Sequence, residues 1–294
     1  MRTNEDKQLV TQALDALASA IERGESEQLK AYLATLARFH RYSVGNVLLI
    51  VLQRPNATRV AGVRAWNKLG RHVRQGEKGI RIMAPIDWRK KKDDKPDGKE
   101  GDETEELVRF RSVCVFDLAQ TDGRPLGEFA QARGEPGEYT DRLMAFAAAR
   151  GIKVEFSDAL GSAHGLSSGG KVLVRKGLSP AEEFSVLAHE LGHELLHKAE
   201  EEKPSSRTVR ETEAEAVAFV VCQAIGLEAT NAAADYIHLY QGGKETLLES
   251  LQRIRQAAVE MVEAITAKDE ARGKASDAEW QAAGACEHQT AHAA

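Results

Sequence analysis

The stretch SVLAHELGHELLHKAE, residues 185–200, carries three histidines spaced four apart. On a helix His189 and His193 lie one turn apart on one face, and Glu190 places its carboxylate beside that face. The letters HELGH match His-Glu-x-x-His, in which two imidazoles hold zinc and the glutamate acts as general base. Three fixed positions in five also arise by chance, and an ordinary amphipathic helix with histidines on its stripe looks the same. The flanking residues at least make the helix clear. Ser179 is an N-cap, Pro180 takes the first helical position and Glu182 completes a capping box. Phe184, Leu187, Ala188, Leu191 and Leu195 then form a buried stripe.

A hydrolytic zinc site takes about three protein ligands and keeps a further position for water, so a third ligand is expected downstream. RETEAEAVAFVVC, 210–222, offers Glu211, Glu213 and Glu215. Glu213 shares a helix face with Val209, Ala216, Val217 and Val220. A carboxylate on such an apolar face is costly unless it is paired or metal-bound. Glu213 is therefore the expected ligand, with Glu215 in reserve; Glu211 and Glu215 lie further round, where water reaches them. His197 is either a supporting partner of the site or a histidine of surface or core. The KVLV strand, 171–174, and its hairpin neighbour offer an edge for an extended peptide. His164, Tyr139, Tyr236, His238 and Tyr240 are equal candidates to donate to a tetrahedral intermediate. Cys286, His288 and His292 imitate a ligand cluster without a fold to hold them.

A chain of 294 residues suits two ordinary domains, and 42% hydrophobic with 29% charged residues is normal for a soluble globular protein. MRTNEDKQLV has no apolar segment behind its charges, so no secretory signal is read. The longest apolar run, VLLIVL at 47–52, is too short to span a bilayer, and no membrane partner is expected. Cys114, Cys222 and Cys286 fit no disulfide framework. The expectation is a reduced, cytoplasmic protein.

The net charge of -5 conceals a division. Residues 1–92 hold 18 Lys+Arg against 8 Asp+Glu, a net of +10, which leaves 22 bases and 37 acids in 93–294, a net of -15. Between Arg38 and Lys92 the imbalance sharpens to 14 bases against 2 acids. A basic first half joined to an acidic second half implies that only the first meets a polyanion. Tyr42, Trp66 and Trp88 fall among Arg41, Arg64, Lys68, Arg71, Arg74, Lys78 and Arg81, and Ser43 and Asn46 add neutral donors. Cations along a backbone with aromatic faces between them are the parts of a single-strand binding surface. Taken singly, Tyr42 and Trp66 read better as core residues; the basic surface as a whole is what points to a polyanion.

The patterning predicts α+β elements. Helices are expected from Asn4 to Gly24, from Ser26 to Phe39 and from Ser43 to Pro55, followed by short glycine-punctuated β runs from Thr58. A solvated loop at 88–106, a strand at 107–118 and a linker at 120–138 follow. A helix at 139–150, a strand at 152–156, a hairpin, the His-Glu-x-x-His helix, a helix at 207–225 and helical segments over 231–266 make a second domain. The expected domains are 1–125 and 136–266, and the aperiodic stretch 267–294 is expected to be a disordered tail.

HELGH followed twenty residues after its second histidine by a helical glutamate resembles the Glu-type zincins, of which thermolysin is a member. VLAHELGHELLH with Glu-x-x-Ala-x-x-Phe is more similar to the ImmA/IrrE branch, where Glu-x-x-Ala-Asn-x-Phe-Ala is usual; Val217 and Val220 replace the Asn and the last Ala. The resemblance implies a zinc metallopeptidase, with Mn2+ as another possible ion. His189, His193 and Glu213 would be the ligands, and Glu190 would take a proton from a water whose pKa zinc lowers to about 7. The protein or peptide substrate is not readable.

The run 41–85 resembles the amino-terminal domain of ArdC antirestriction proteins, which also heads TraC-type primases and some phage polyvalent proteins. Tyr42, Ser43, Asn46, Gln53, Trp66, Gly70, Arg71, Gly76, Glu77, Lys78, Gly79 and Ile80 carry its pattern. ArdC also couples this domain to a zincin domain. The resemblance implies binding of single-stranded DNA and protection of incoming mobile-element DNA, such as a conjugating plasmid, from restriction. Two rivals stand beside it: a regulatory metalloprotease that cleaves a repressor or other partner and uses DNA for localisation, and a DNA-binding module whose zinc is structural.

Overall fold

The computed structural model describes residues 2–85, 110–123, 135–161, 163–197, 206–227 and 243–290, with side chains as far as Ala267. In chain order its elements begin with α1 (Arg2–Glu22), α2 (Ser26–Arg38), α3 (Val44–Gln53), β1 (Val60–Ala61), α4 (Val63–Lys68), β2 (Arg71–Val73), β3 (Ile80–Pro85), β4 (Phe110–Asp117) and β5 (Thr121–Gly123). They continue with α5 (Glu138–Ala149), β6 (Lys153–Ser157), β7 (Gly165–Ser167), β8 (Lys171–Arg175), α6 (Pro180–His197), α7 (Arg207–Ala224) and α8 (Lys244–Thr290). The architecture is α+β. Two compact units form, one from residues 1–16 with 45–124 and the other from 17–44 with 125–294.

In the first unit β3 is held on one side by β4, which also carries β1 on its other edge. The remaining edge of β3 is closed by α3. Asn46 donates to the Met83 carbonyl and accepts from the Met83 amide, both at 2.8 Å. Gln53 does the same with Arg81, at 2.9 Å in each direction. A primary amide copies the peptide group, so two side chains substitute for a neighbouring strand and leave those polar groups satisfied. Trp66 is buried and donates from Nε1 to the Phe116 carbonyl at 2.9 Å. Buried Asp117 accepts from the amides of Thr58, Arg59 and Ala119. Gln120 accepts from the Asp117 amide and donates to Glu77 and to the Lys78 carbonyl. Much of the polar pattern between 46 and 120 is thereby spent on holding backbone.

In the second unit a three-stranded sheet, ordered β6-β8-β7, has β6 parallel and β7 antiparallel to β8. Helix α6 packs on β7 and β8, and α7 packs on α6, α8 and α2. Ser179 and Glu182 form the expected capping box of α6, with Ser179 donating from N and Oγ to Glu182 Oε2 at 2.9 and 2.7 Å.

Several expectations change. Residues 17–44 belong with the second unit rather than with 1–125, because Leu29, Leu33 and Leu36 of α2 are buried and α2 lies on α7. Helix α4 interrupts the glycine-rich β region, since Trp66 supplies it with an anchor that propensity does not reveal. Strand β5 occupies the start of the expected linker by pairing with β2. Asn4 lies inside α1, and Glu25 rather than Ser26 holds the N-cap position of α2. Helix α8 continues to Thr290 through the stretch expected to be a disordered tail, where alanine and other good helix formers need no apolar stripe. Trp88, the loop at 88–106, the start of the strand expected at 107, most of the linker and Tyr236, His238 and Tyr240 lie outside the described residues. So do the side chains of Cys286 and His288, and His292 entirely.

Truncating a buried tryptophan costs about 3–5 kcal/mol, here with a backbone carbonyl losing its donor as well. Trp66→Ala should lower the melting temperature of the protein clearly in a thermal-unfolding scan, whereas Lys68→Ala, on an exposed position of the same helix, should leave it within about 2 °C.

Candidate metal centre

The His-Glu-x-x-His segment sits in the middle of α6, with the rings of His189 and His193 edge to face, their centroids 4.8 Å apart. Their Nε2 atoms are 3.1 Å apart. The third group comes from α7. Glu211 Oε2 lies 3.5 Å from Nε2 of His189 and 3.4 Å from Nε2 of His193. Donors that share one tetrahedral ion at about 2.0–2.1 Å lie roughly 3.3 Å from one another. The three side chains fit a small divalent cation.

Gly192, between the histidines, makes this approach possible. A Cβ there would stand 3.2 Å from Ala214 Cα, so only glycine lets the two helices come this close without a shift. The same closeness brings Glu215 Oε2 to 3.3 Å from Nδ1 of His189. A carboxylate on the far ring nitrogen fixes which nitrogen faces the ion and how the ring is turned.

Glu190 is buried, and burial pushes its carboxyl up to about 6, against the opposing charge of His189. Gly165 of β7 leaves room for it: a Cβ at Gly165 would fall 2.5 Å from Glu190 Oε1. Glu194, one turn beyond, is buried and accepts from Ser167 Oγ at 2.7 Å and from the Gly170 amide at 2.6 Å, tying α6 to the β7–β8 hairpin. Burial lowers both imidazoles. For His189 the carboxylates of Glu211 and Glu215 reverse this and raise it to about 9, while His193, beside a charged His189, falls to about 4. The pair therefore favours one positive charge and resists two. Contact with His189 holds the Glu211 carboxyl down at about 2.

Glu213, the expected third ligand, is not brought to the histidine pair. It is fully buried, accepts from Arg253 Nη2 of α8 at 2.6 Å and stands 3.7 Å from His197 Nε2. A carboxylate on that face does need a partner, and the partner is an arginine forty residues on. Glu211 is the ligand candidate in its place. Glu211 and Glu215 are four apart, the spacing of the two histidines they meet, and that match was the signal available in the sequence. His197 donates toward the Arg210 carbonyl or Glu213, bracing α7 against α6. His164 is exposed and does not line the cavity, and Tyr139 lies against Arg142 on α5. The sequence reading also missed Arg207 and Arg210, which line a cavity of about 560 Å³ with the histidines, Glu190 and β7.

The residues expected to meet DNA divide. Asn46, Trp66 and Arg71 are engaged by backbone: Arg71 donates to the carbonyls of Thr121 and Gly123. Arg74 pairs with Glu77 and Asp122. Arg64, Lys68 and Lys78 are exposed and make no ion pair among the described residues. Arg41, Tyr42 and Ser43 fall in the second unit, where Arg41 pairs with Glu263 and the Tyr42 carbonyl accepts from Arg255.

These features define a metallopeptidase-like domain preceded by a small basic α+β unit. Residues 147–241 match the family model of the IrrE N-terminal-like domain, and residues 7–116 match that of the N-terminal domain of the anti-restriction factor ArdC. The chain thus carries an ArdC-type N-terminal domain followed by an IrrE-like domain. Its fold is similar to the crystal structure of the antirestriction protein ArdC from plasmid R388 in the Mn(II)-bound form, with a TM-score of 0.54 and 20% identity over 87% of this chain and 98% of that one. The metal-free form of that protein gives 0.53 and 19%, over 88% and 98%. An uncharacterised protein of Bacillus anthracis, pXO2-81, is 25% identical over 275 residues, 79% of this chain and 47% of that protein. The chain thus spans about half the length of that relative. No helix among the described residues is long and apolar enough to cross a membrane.

Removing one of three ligands should leave a site that no longer retains its ion through desalting. Glu211→Ala should therefore lose bound metal in elemental analysis of the purified protein. Glu213→Ala, which removes the buried carboxylate that Arg253 meets, should keep metal but melt at a lower temperature.

Proposed function

We propose that the chain is an antirestriction protein of a mobile element that binds single-stranded DNA and carries a working zinc-type peptidase site. The observation that carries the peptidase half is the meeting of His189, His193 and Glu211 beside a buried, base-capable Glu190 in one cavity. A zinc or manganese ion held there supplies Lewis acidity to water and to the peptide carbonyl. Glu190 accepts the proton of the attacking water and passes it to the departing amine. Its depth beneath Gly165 keeps the carboxylate aimed into the cavity. Glu215 orients His189, and Glu194 fixes the hairpin against α6. The outer edge of β7 borders the cavity, so an extended peptide added to that edge has its backbone next to Glu190.

The DNA half rests on the basic composition of 38–92 and on the ArdC domain match. Arg64, Lys68 and Lys78 are the cations best suited to phosphate, because they are exposed and make no ion pair among the described residues. Neutralising phosphates makes binding salt-dependent, with log K falling by about 0.7 per contact per decade of salt for single strands. A regulatory protease directed at a protein partner is the second reading, favoured by the IrrE-like match.

Glu190→Gln tests and separates these. It should keep metal and affinity for a fluorescent oligonucleotide but lose peptide hydrolysis by roughly 10²–10⁴-fold. Protection of transferred plasmid DNA that survives in this variant would detach antirestriction from peptidase chemistry; protection lost with it would favour the protease reading. In the same titration, Arg64→Ala with Lys68→Ala and Lys78→Ala should weaken oligonucleotide binding and flatten its salt slope by about two units if all three touch phosphate. An unchanged slope would remove these residues from the interface.

A further inference from the structure

We propose that Arg210, with Arg207 at the cavity mouth, forms a carboxylate-binding subsite, so that the peptide taken by this site carries a carboxylate close to the scissile bond. The inference rests on the peptidase reading above. Both arginines line the same cavity as His189, His193, Glu190 and Glu211. Arg210 is half-buried, its Nε is shut off from water, and neither a hydrogen-bond partner for that atom nor an ion pair for its guanidinium exists among the described residues. A guanidinium with one nitrogen shut off from water and no anion beside it carries a desolvation cost, and an incoming anion relieves it. Every other acid of the cavity is already occupied. Glu211 faces the histidines, Glu194 is held by Ser167 and Gly170, and Glu190 is the base. Arg207 is 89% exposed, and its Nε lies 4.0 Å from Glu211 Oε1, close enough to swing toward a ligand beside the metal cluster.

Charge points the same way. The three carboxylates Glu190, Glu194 and Glu211 exceed the two arginines by one negative charge, which the single positive charge of the histidine pair offsets when no ion is held. A divalent cation in place of that proton leaves one net positive charge, so the loaded cavity attracts an anion more strongly than the metal-free one. The planar fork of a guanidinium suits a carboxylate, which it binds through two parallel hydrogen bonds. The carboxylate has two sources, the carboxyl terminus of a chain or an acidic side chain.

The test uses the full chain carrying Glu190→Gln, loaded with Zn(II) or Mn(II), so that probes are held and not cut. Four fluorescein-labelled alanine-leucine pentapeptides serve as probes, one pair ending in carboxylate or carboxamide, the other amidated and carrying Glu or Gln at its centre. Fluorescence anisotropy should show at least one carboxylate peptide bound ten- to a hundredfold more tightly than its neutral partner, the range of a charge-assisted hydrogen-bonded pair. Which pair shows the preference identifies the source. Adding Arg210→Gln should reduce the preference to within about twofold, and Arg210→Lys should restore part of it, with metal content and melting temperature checked in both. Equal affinity for charged and neutral peptides overturns the subsite while leaving the peptidase reading intact. Metal retained with no peptide bound at all overturns both. An oligonucleotide that displaces the peptides, and loses its own affinity in Arg210→Gln, overturns the inference in favour of phosphate.

Discussion

Everything at the metal centre depends on how closely α7 can lie against α6. The histidines are fixed by their own helix, but a chelating set needs a carboxylate from elsewhere within about 3–4 Å of two ring nitrogens. Gly192 supplies that distance by leaving the space a side chain would fill against Ala214. With the helices in contact, a four-residue repeat of acids meets a four-residue repeat of histidines, Glu211 toward the ion and Glu215 toward the far side of His189. The rest of the second unit serves this contact. Arg253 of α8 anchors Glu213, and His197 reaches the Arg210 carbonyl, so α7 is braced from both sides along its length.

The central helix was legible in the sequence because its information is local. Ser179, Pro180 and Glu182 mark its start, and the 189–193 spacing marks its face. Which glutamate of α7 meets the histidine pair was marked in the sequence only by the 211–215 spacing, because two physical solutions satisfy a buried carboxylate equally and sequence does not display the neighbour. Glu213 found Arg253, and Glu211, which a helix wheel places nearer water, found the histidines. The basic half shows the converse. Asn46, Trp66 and Arg71 look like ligand-binding residues because they are polar or aromatic in a charged setting, and Gln53 shares the family pattern with them. Their partners are backbone atoms of β3, β4 and β5, which no side-chain pattern advertises. The α+β class and most elements followed from patterning, whereas α4 and β5 depend on tertiary partners.

The electrostatics of the cluster also explain why one helix carries so many ionisable groups without unfolding. Several are compensated by neighbours: His189 by α7, Glu194 by the hairpin, and Glu182 by the serine that caps its own helix. Glu190 alone is left with a raised carboxyl and open space before it, which is the condition of a group that must exchange a proton rather than hold one.

The amides of Asn46 and Gln53 have one more effect. A strand whose outer groups are taken by side chains offers no template to another chain, so β3 is insulated from the strand-for-strand stacking that leads to aggregates. The second unit lacks this insulation, since β7 ends its sheet with no further strand among the described residues. Brevity guards it instead, because three residues give foreign backbone little to hold. The same polypeptide thus solves one colloidal problem in two ways: side chains seal the free edge of β3, and brevity limits β7.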